Sequence, residues 1–338
     1  MLLETDSPRA FREQARALLT LTPRADASEP RVFEAGQRRI VVAESVNCPP
    51  GFVLRETLIV RGDFQCGPGS KFLGPVYAGG SAVVGKGAEV DALAADQSIV
   101  VSPRALVHRF ADSHGWIDLR SGAWAGQVRS TLGIQLSFDA GARELFAPEV
   151  ATQGRIQGIA ESPDLGSYVE LKPPVSRERP DLWSVRGYRP EKLSALGAET
   201  WVYDGSLHFP MPLVLRAKLV VRGSFSCPPG SLIEEDVKAG GNIRLGEGSI
   251  CNGHLTSRNE LTLEGDCLFE GNLKAGTLLR LAGGVRGFRR DGPVEVETGD
   301  RLILEPNVVV RGRLSAGSAV RSSQPEIEGG LELLLAGR

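Results

Sequence analysis

The sequence predicts an all-β fold: two tandem parallel β-helices (β-solenoids) of triangular coils, about 18 residues per coil, with a short N-terminal helix. Three observations carry this. The chain repeats itself at a spacing of 161 residues, each half repeats internally every 17 or 18, and apolar residues alternate with polar ones inside each short unit. The expected organisation is a helix and linker over 1–30, a first β-helix over 31–160, a proline-rich connector over 161–197 and a second β-helix over 198–338.

The long repeat is read directly. Leu58-Ile59-Val60-Arg61-Gly62-Asp63-Phe64-Gln65-Cys66 matches Leu219-Val220-Val221-Arg222-Gly223-Ser224-Phe225-Ser226-Cys227, and 15 of the 35 positions from Leu58 to Ala92 are identical to their partners without a gap. Identity of that density over so short a window implies duplication of one domain.

The short repeat is clearest in the second half, where 18-residue units begin at Ser231, Ser249 and Cys267. Four apolar columns line up: Val237, Leu255, Leu273; Ile243, Leu261, Leu279; Leu245, Leu263, Leu281; and Ile233, Cys251, Phe269. In the first half the expected columns are Phe72, Val90, Val107, Trp124 and Val84, Val101, Leu119, Leu136. If one unit is one turn of three strands, equivalent positions stack about 4.8 Å apart as parallel strands, and their side chains fill one core. Triplets such as Ile243-Arg244-Leu245 alternate in, out, in, the period of a strand. Gly246, Gly265 and Gly283 are expected at corners that need positive φ.

Two steps depart from the period: Leu281 to Leu304 is 23 residues and Val221 to Leu245 is 24. Extra residues in a solenoid leave as loops. The first of these holds Arg286, Arg289 and Arg290, an expected basic loop for a protein or lipid partner. Ahead of the coils, Ser7-Pro8 followed by Phe11, Ala15, Leu18 and Leu19 reads as an N-capped amphipathic helix with proline at its first position.

Composition narrows the function classes. Aromatic residues make up 6% and glycines number 41, which suits short strands and tight turns. A formal net charge of -2 gives no strong positive field, so no specific nucleic-acid partner is expected. Five cysteines without C-x-x-C spacing suggest neither a disulfide framework nor a zinc site and fit a reducing cytoplasm. No signal segment and no run of roughly 20 apolar residues is present, so a soluble cytoplasmic protein is expected.

No catalytic residue, cofactor or metal is expected. Asp112-Ser113-His114 holds the residue types of a hydrolase triad, but sequence neighbours rarely meet triad geometry, and the nucleophile-elbow pattern is missing. Gly85-Lys86-Gly87 lacks the rest of a dinucleotide fingerprint. Cys66 and Cys227, related by the duplication, read as small core residues. His254 after Gly253 is the candidate base of one rival reading, a hexapeptide-repeat acyltransferase, because apolar residues also recur every six positions from Val237 to Leu279. A second rival is a binding adaptor that uses the loop around Arg289.

Ile243-Arg244-Leu245-Gly246-Glu247-Gly248, Phe269-Glu270-Gly271-Asn272-Leu273 and Leu304-Glu305-Pro306-Asn307-Val308-Val309-Val310-Arg311-Gly312 together resemble the bactofilins. The resemblance covers about Leu219 to Val320, with a weaker echo from Leu58 to Ala140. It implies a non-enzymatic bacterial cytoskeletal scaffold, a right-handed β-helix that polymerises end to end without nucleotide, often at the inner membrane surface. Two solenoids in one chain depart from the single solenoid of that family. The last coil, with Val308, Val310, Leu314 and Val320, is the expected self-association surface, since an uncovered solenoid end exposes backbone N–H and C=O groups and an apolar cross-section.

Overall fold

The computed structural model describes residues 7–22, 30–35, 38–153, 168–174 and 189–323. It is an all-β parallel β-solenoid with one short α-helix among the described residues, whose 37 strands form a single hydrogen-bonded network. Each coil gives one strand to each of three faces. Face one starts at Arg38–Ala43 and continues through Thr57–Val60, Val76–Ala78 and Leu93–Ala95. Face two starts at Val46–Cys48 and face three at Val53–Leu54. Parallel pairing continues from these strands to Gly141–Thr152, and a second run continues from Val169–Leu171 and Thr200–Tyr203 to Val309–Ser322.

The four columns read in the second half are the core of its coils: Val237 pairs with Leu255 and Leu255 with Leu273, and the other three columns pair in the same way. All these residues are buried. In the first half the Phe72, Val90, Val107 column continues into Ala125, not Trp124. Trp124 pairs with Leu106 one position away, and the Arg321 guanidinium lies 5.6 Å from its ring centroid.

Of the two expected insertions one is real. Leu281 pairs directly with Leu304, so the intervening extra residues leave the stack without breaking it. The other dissolves: Val221 pairs with Ala239 on face one and Leu245 with Cys227 on face two, each an ordinary step.

The corner glycines also need correction. Positive φ falls at Gly230, Gly248, Asp266, Gly284 and Asn307, and at Gly51, Gly69, Gly87, Arg104, Gly122 and Asp139 in the first run. Asp and Asn tolerate this conformation better than most residues, which accounts for Asp139, Asp266 and Asn307 but not for Arg104. None of Gly246, Gly265 and Gly283 has positive φ; at Gly246 it is space that matters, because a Cβ there would strike Pro229 in the preceding coil.

The helix α1, Pro8–Leu21, is capped by Ser7, whose Oγ accepts from Ala10 N–H at 3.4 Å. It lies on the outside of face one in the first run, where Phe11 and Ala15 pack against Ile59, Tyr77, Ala94 and Phe110. Strand alternation is lost beneath it. Every residue of Thr57–Val60, Val76–Ala78 and Leu93–Ala95 is buried, whereas the corresponding strands Val237–Ala239 and Leu273–Ala275 turn Lys238 and Lys274 to solvent.

Polar contacts fix the helix in register. Arg12 pairs with Asp112, Arg16 Nη2 reaches Asp96 at 2.9 Å, and Arg61 Nη1 donates to the Leu19 carbonyl at 2.9 Å. Tyr77 Oη donates to Asp96 Oδ2 at 2.7 Å, and burial pushes its pKa up to about 12, so it remains a donor at neutral pH.

Candidate functional site: the ends of the two runs

A coil stack ends in unpaired strand edges, and this chain has two runs with two ends each. The C-terminal ends meet each other. Gly141–Thr152 pairs antiparallel with Val309–Ser322, and the register sets Leu145 opposite Leu314, Ala142 opposite Val320 and Val150 opposite Val310.

Leu145 and Leu314 hold the same place in the last coil of each run, stacked on Val128 and Val296 of face one. Ala142 and Val310 both belong to face three, and Val150 and Val320 both to face two. The contact is therefore self-paired at its centre and exchanged on either side, the pattern of a two-fold, isologous interface inside one chain.

Its hydrogen bonds obey the same exchange. Thr152 Oγ1 donates to the Glu305 carbonyl at 2.7 Å and Thr152 N–H to the Val308 carbonyl at 3.0 Å. On the other side Ser322 Oγ donates to the Ser137 carbonyl at 2.5 Å and Ser322 N–H to the Ala140 carbonyl at 3.0 Å. Arg313 with Glu144 at 2.6 Å and Arg321 with Asp139 at 3.2 Å add ion pairs at the rim.

The expected self-association residues Val308, Val310, Leu314 and Val320 all lie in this junction and are fully buried. The surface they form is covered within the chain by Gly141–Thr152. The two N-terminal ends lie outside this contact.

Those two ends differ. Each carries one antiparallel strand on face one, Arg31–Ala35 on the first run and Leu193–Leu196 on the second. The second has in addition Val169–Leu171, parallel to Leu213–Leu215 on face three. The prolines of the connector thus flank a segment that joins the stack, and residues 161–167 and 175–188 of it lie outside the described residues.

Arg286 is in a strand, paired with Val309. Arg289 Nε donates to the Glu270 carbonyl at 3.0 Å, and Arg290 is exposed in the extra loop. Arg286 and Phe288 line a groove of about 850 Å³ with Gln135, Glu149, Asn307 and Arg311, which crosses the junction between the runs.

His254 belongs to a ladder. Asp236 Oδ1 accepts from His254 N–H at 2.8 Å, His254 Nδ1 accepts from Asn272 N–H at 2.9 Å, and Asn272 Oδ1 accepts from Glu295 N–H at 3.0 Å. The imidazole does for one coil what a carboxylate and an amide do for its neighbours. His254→Asn is therefore expected to keep stability within about 0.5 kcal/mol, while His254→Ala loses about 1 kcal/mol, one hydrogen bond with its backbone donor left to water. Paired urea denaturation curves check this, and equal losses in both variants would refute the ladder role.

Asp112, Ser113 and His114 do not converge. Asp112 faces Arg12, Ser113 Oγ donates to the Gln97 carbonyl, and His114 Nδ1 lies 3.1 Å from Arg16 Nη2. Cys66 and Cys227 are core residues, as are Cys251 and Cys267. Burial pushes Cys227 up to about 11, Cys267 up to about 12 and Cys251 further up, so little thiolate exists at neutral pH. Among the described residues no group of three metal-binding side chains occurs, and no helix is long and apolar enough to cross a membrane.

Comparison of the chain with protein-family models, with curated proteins and with solved structures finds no match.

Proposed function

We propose that the chain is a non-enzymatic, bactofilin-like scaffold whose two runs are duplicated, separate β-helices that self-associate through their ends without nucleotide. The observation that carries this reading is the antiparallel register of Gly141–Thr152 on Val309–Ser322, in which one end of this solenoid covers another. With those two ends covered, copies would join through the N-terminal ends, each of which carries one antiparallel strand on face one. Its place is the cytoplasm, with other proteins or the inner membrane surface as further partners.

Two features of the molecule favour a scaffold over an acyltransferase. His254 is occupied in a coil-to-coil ladder, and one groove on the coil surface is lined by paired charges, Arg244 with Glu264 at 2.8 Å and Arg280 with Glu305 at 2.6 Å.

Negative-stain electron microscopy with light scattering, in nucleotide-free buffer over a concentration series, tests the proposal. End-joined particles that lengthen with concentration are expected. Discrete monomers at every concentration would overturn self-association.

A further inference from the structure

We infer that the open N-terminal end of the first run binds an extended peptide of apolar–acidic–apolar pattern from another protein, added as a parallel strand beside Phe52–Leu54. This goes beyond self-association and does not depend on it. The covered end of the second run shows what such a strand does, because the chain fills the matching site there itself.

At the covered end Val169, Glu170 and Leu171 pair with Leu213, Val214 and Leu215. Val169 N–H donates to the Pro212 carbonyl, and Arg216 N–H donates to the Leu171 carbonyl, both at 2.9 Å. Val169 and Leu171 point inward and are buried, and Glu170 Oε1 lies 3.3 Å from Arg216 Nε.

The 161-residue repeat places Phe52, Val53, Leu54 and Arg55 at the positions of Leu213, Val214, Leu215 and Arg216. The local build is the same: Phe52 N–H donates to Ser70 Oγ at 3.2 Å as Leu213 N–H donates to Ser231 Oγ at 3.1 Å. Among the described residues no strand lies beyond Val53–Leu54. Phe52 and Val53 are 36% and 55% exposed, where Leu213 and Val214 are 0% and 2%.

Two details mark what that edge lacks among the described residues. Arg55 N–H, with no strand carbonyl there among them, donates to Glu56 Oε2 at 3.1 Å. The Arg55 guanidinium, at the position where Arg216 meets Glu170, has no ion pair among the described residues. An incoming acidic residue would supply one.

The floor has room as well. Val41, Val46, Cys48 and Leu54 line an apolar groove of about 310 Å³ at this end. Val41 stacks on Leu58 as Trp201 stacks on Leu219, and Val46 on Phe64 as Leu207 on Phe225, so the open end carries the smaller side chains. Peptide residues of leucine or phenylalanine size fit there, with backbone pairing giving affinity and the alternate side chains selectivity.

A strand fits better than the end of a second copy. Arg31–Ala35 already adds one layer on face one, so a flat end-on contact would leave a notch one strand wide over Val53–Leu54.

The test is fluorescence anisotropy with full-length protein and a labelled, end-blocked peptide of sequence Tyr-Val-Glu-Leu-Lys-Pro-Pro, that of residues 168–174. Saturable 1:1 binding is expected, weakened about tenfold by Arg55→Glu and regained when the peptide glutamate is replaced by lysine. Arg216→Glu should leave peptide binding unchanged, which separates this site from the chain's own covered end. No binding at millimolar peptide, or binding indifferent to Arg55→Glu, overturns the site. Dimers that form through Val53 and Leu54 while the peptide fails to bind also overturn it, in favour of a second copy, and filament formation by itself has no bearing on these readouts.

Discussion

Leu145→Ala and Leu314→Ala are each expected to lower the unfolding free energy by about 2–5 kcal/mol, and the double variant by clearly less than the sum. Both side chains are fully buried, and they face each other at the centre of the junction. Truncating one leaves a cavity bounded by the other. Truncating the second then removes atoms that had already lost their neighbour, so the two losses overlap.

Leu261→Ala supplies the control. It is equally buried but lies in the middle of the second run, stacked between Ile243 and Leu279, and should combine with Leu145→Ala additively. Equilibrium urea denaturation of the four junction forms and the control pair measures the coupling. Additivity of Leu145→Ala and Leu314→Ala to within about 0.5 kcal/mol would mean that the two runs do not support each other through this contact. Leu314→Asp goes further, because a carboxylate has no partner in that apolar layer. It is expected to part the runs, seen as a rise in radius of gyration by small-angle scattering while the far-ultraviolet circular dichroism stays β-rich.

Much of the coil architecture was legible because a solenoid makes sequence period and spatial neighbour the same thing. Ile243, Leu261 and Leu279 recur at 18 residues, and they pair in space at that interval. Period alone is ambiguous at particular positions. Trp124 and Ala125 differ by one residue, and apolar character favours the tryptophan, yet only the small alanine points inward beneath Ala142. Gly246 and Gly248 both sit in one corner, the first for space between coils and the second for positive φ, which composition cannot separate.

The junction was not legible, since nothing in a repeat says which way two repeats face. One signal did exist. Gly141–Thr152 and Val309–Ser322 are long strands of 12 and 14 residues where other coils break into short ones, as expected of a last turn held from both sides. The open edge at Val53–Leu54 was hidden for the opposite reason: its sequence matches the covered edge, and the difference lies in Val169–Leu171, a segment read only as connector.

The attachment of α1 is expected to depend on one buried ion pair. Arg12 and Asp112 are both almost fully buried, and desolvation pulls the Arg12 guanidinium below its ordinary pKa. Nε and Nη1 of Arg12 find no hydrogen-bond partner among the described residues, so the pair is incompletely satisfied. Removing one partner from such a pair costs about 3–5 kcal/mol, because the other is left charged and unpaired in a dry site. A single helix held by Phe11, Ala15 and a few polar contacts has little more docking free energy than that.

Asp112→Ala should therefore release α1 while the coils persist, with trypsin cutting rapidly at Arg9, Arg12 and Arg16 and leaving the stack intact. Replacing both partners, Arg12→Met with Asp112→Leu, removes the charges together and is expected to restore protease resistance to the original level or above it. If Asp112→Ala leaves tryptic cleavage of the helix unchanged, the apolar contacts with Ile59, Tyr77 and Phe110 hold α1 alone. If the double replacement is as labile as the single one, the pair contributes attraction that packing cannot replace, and its burial must then be counted as stabilising in its own right.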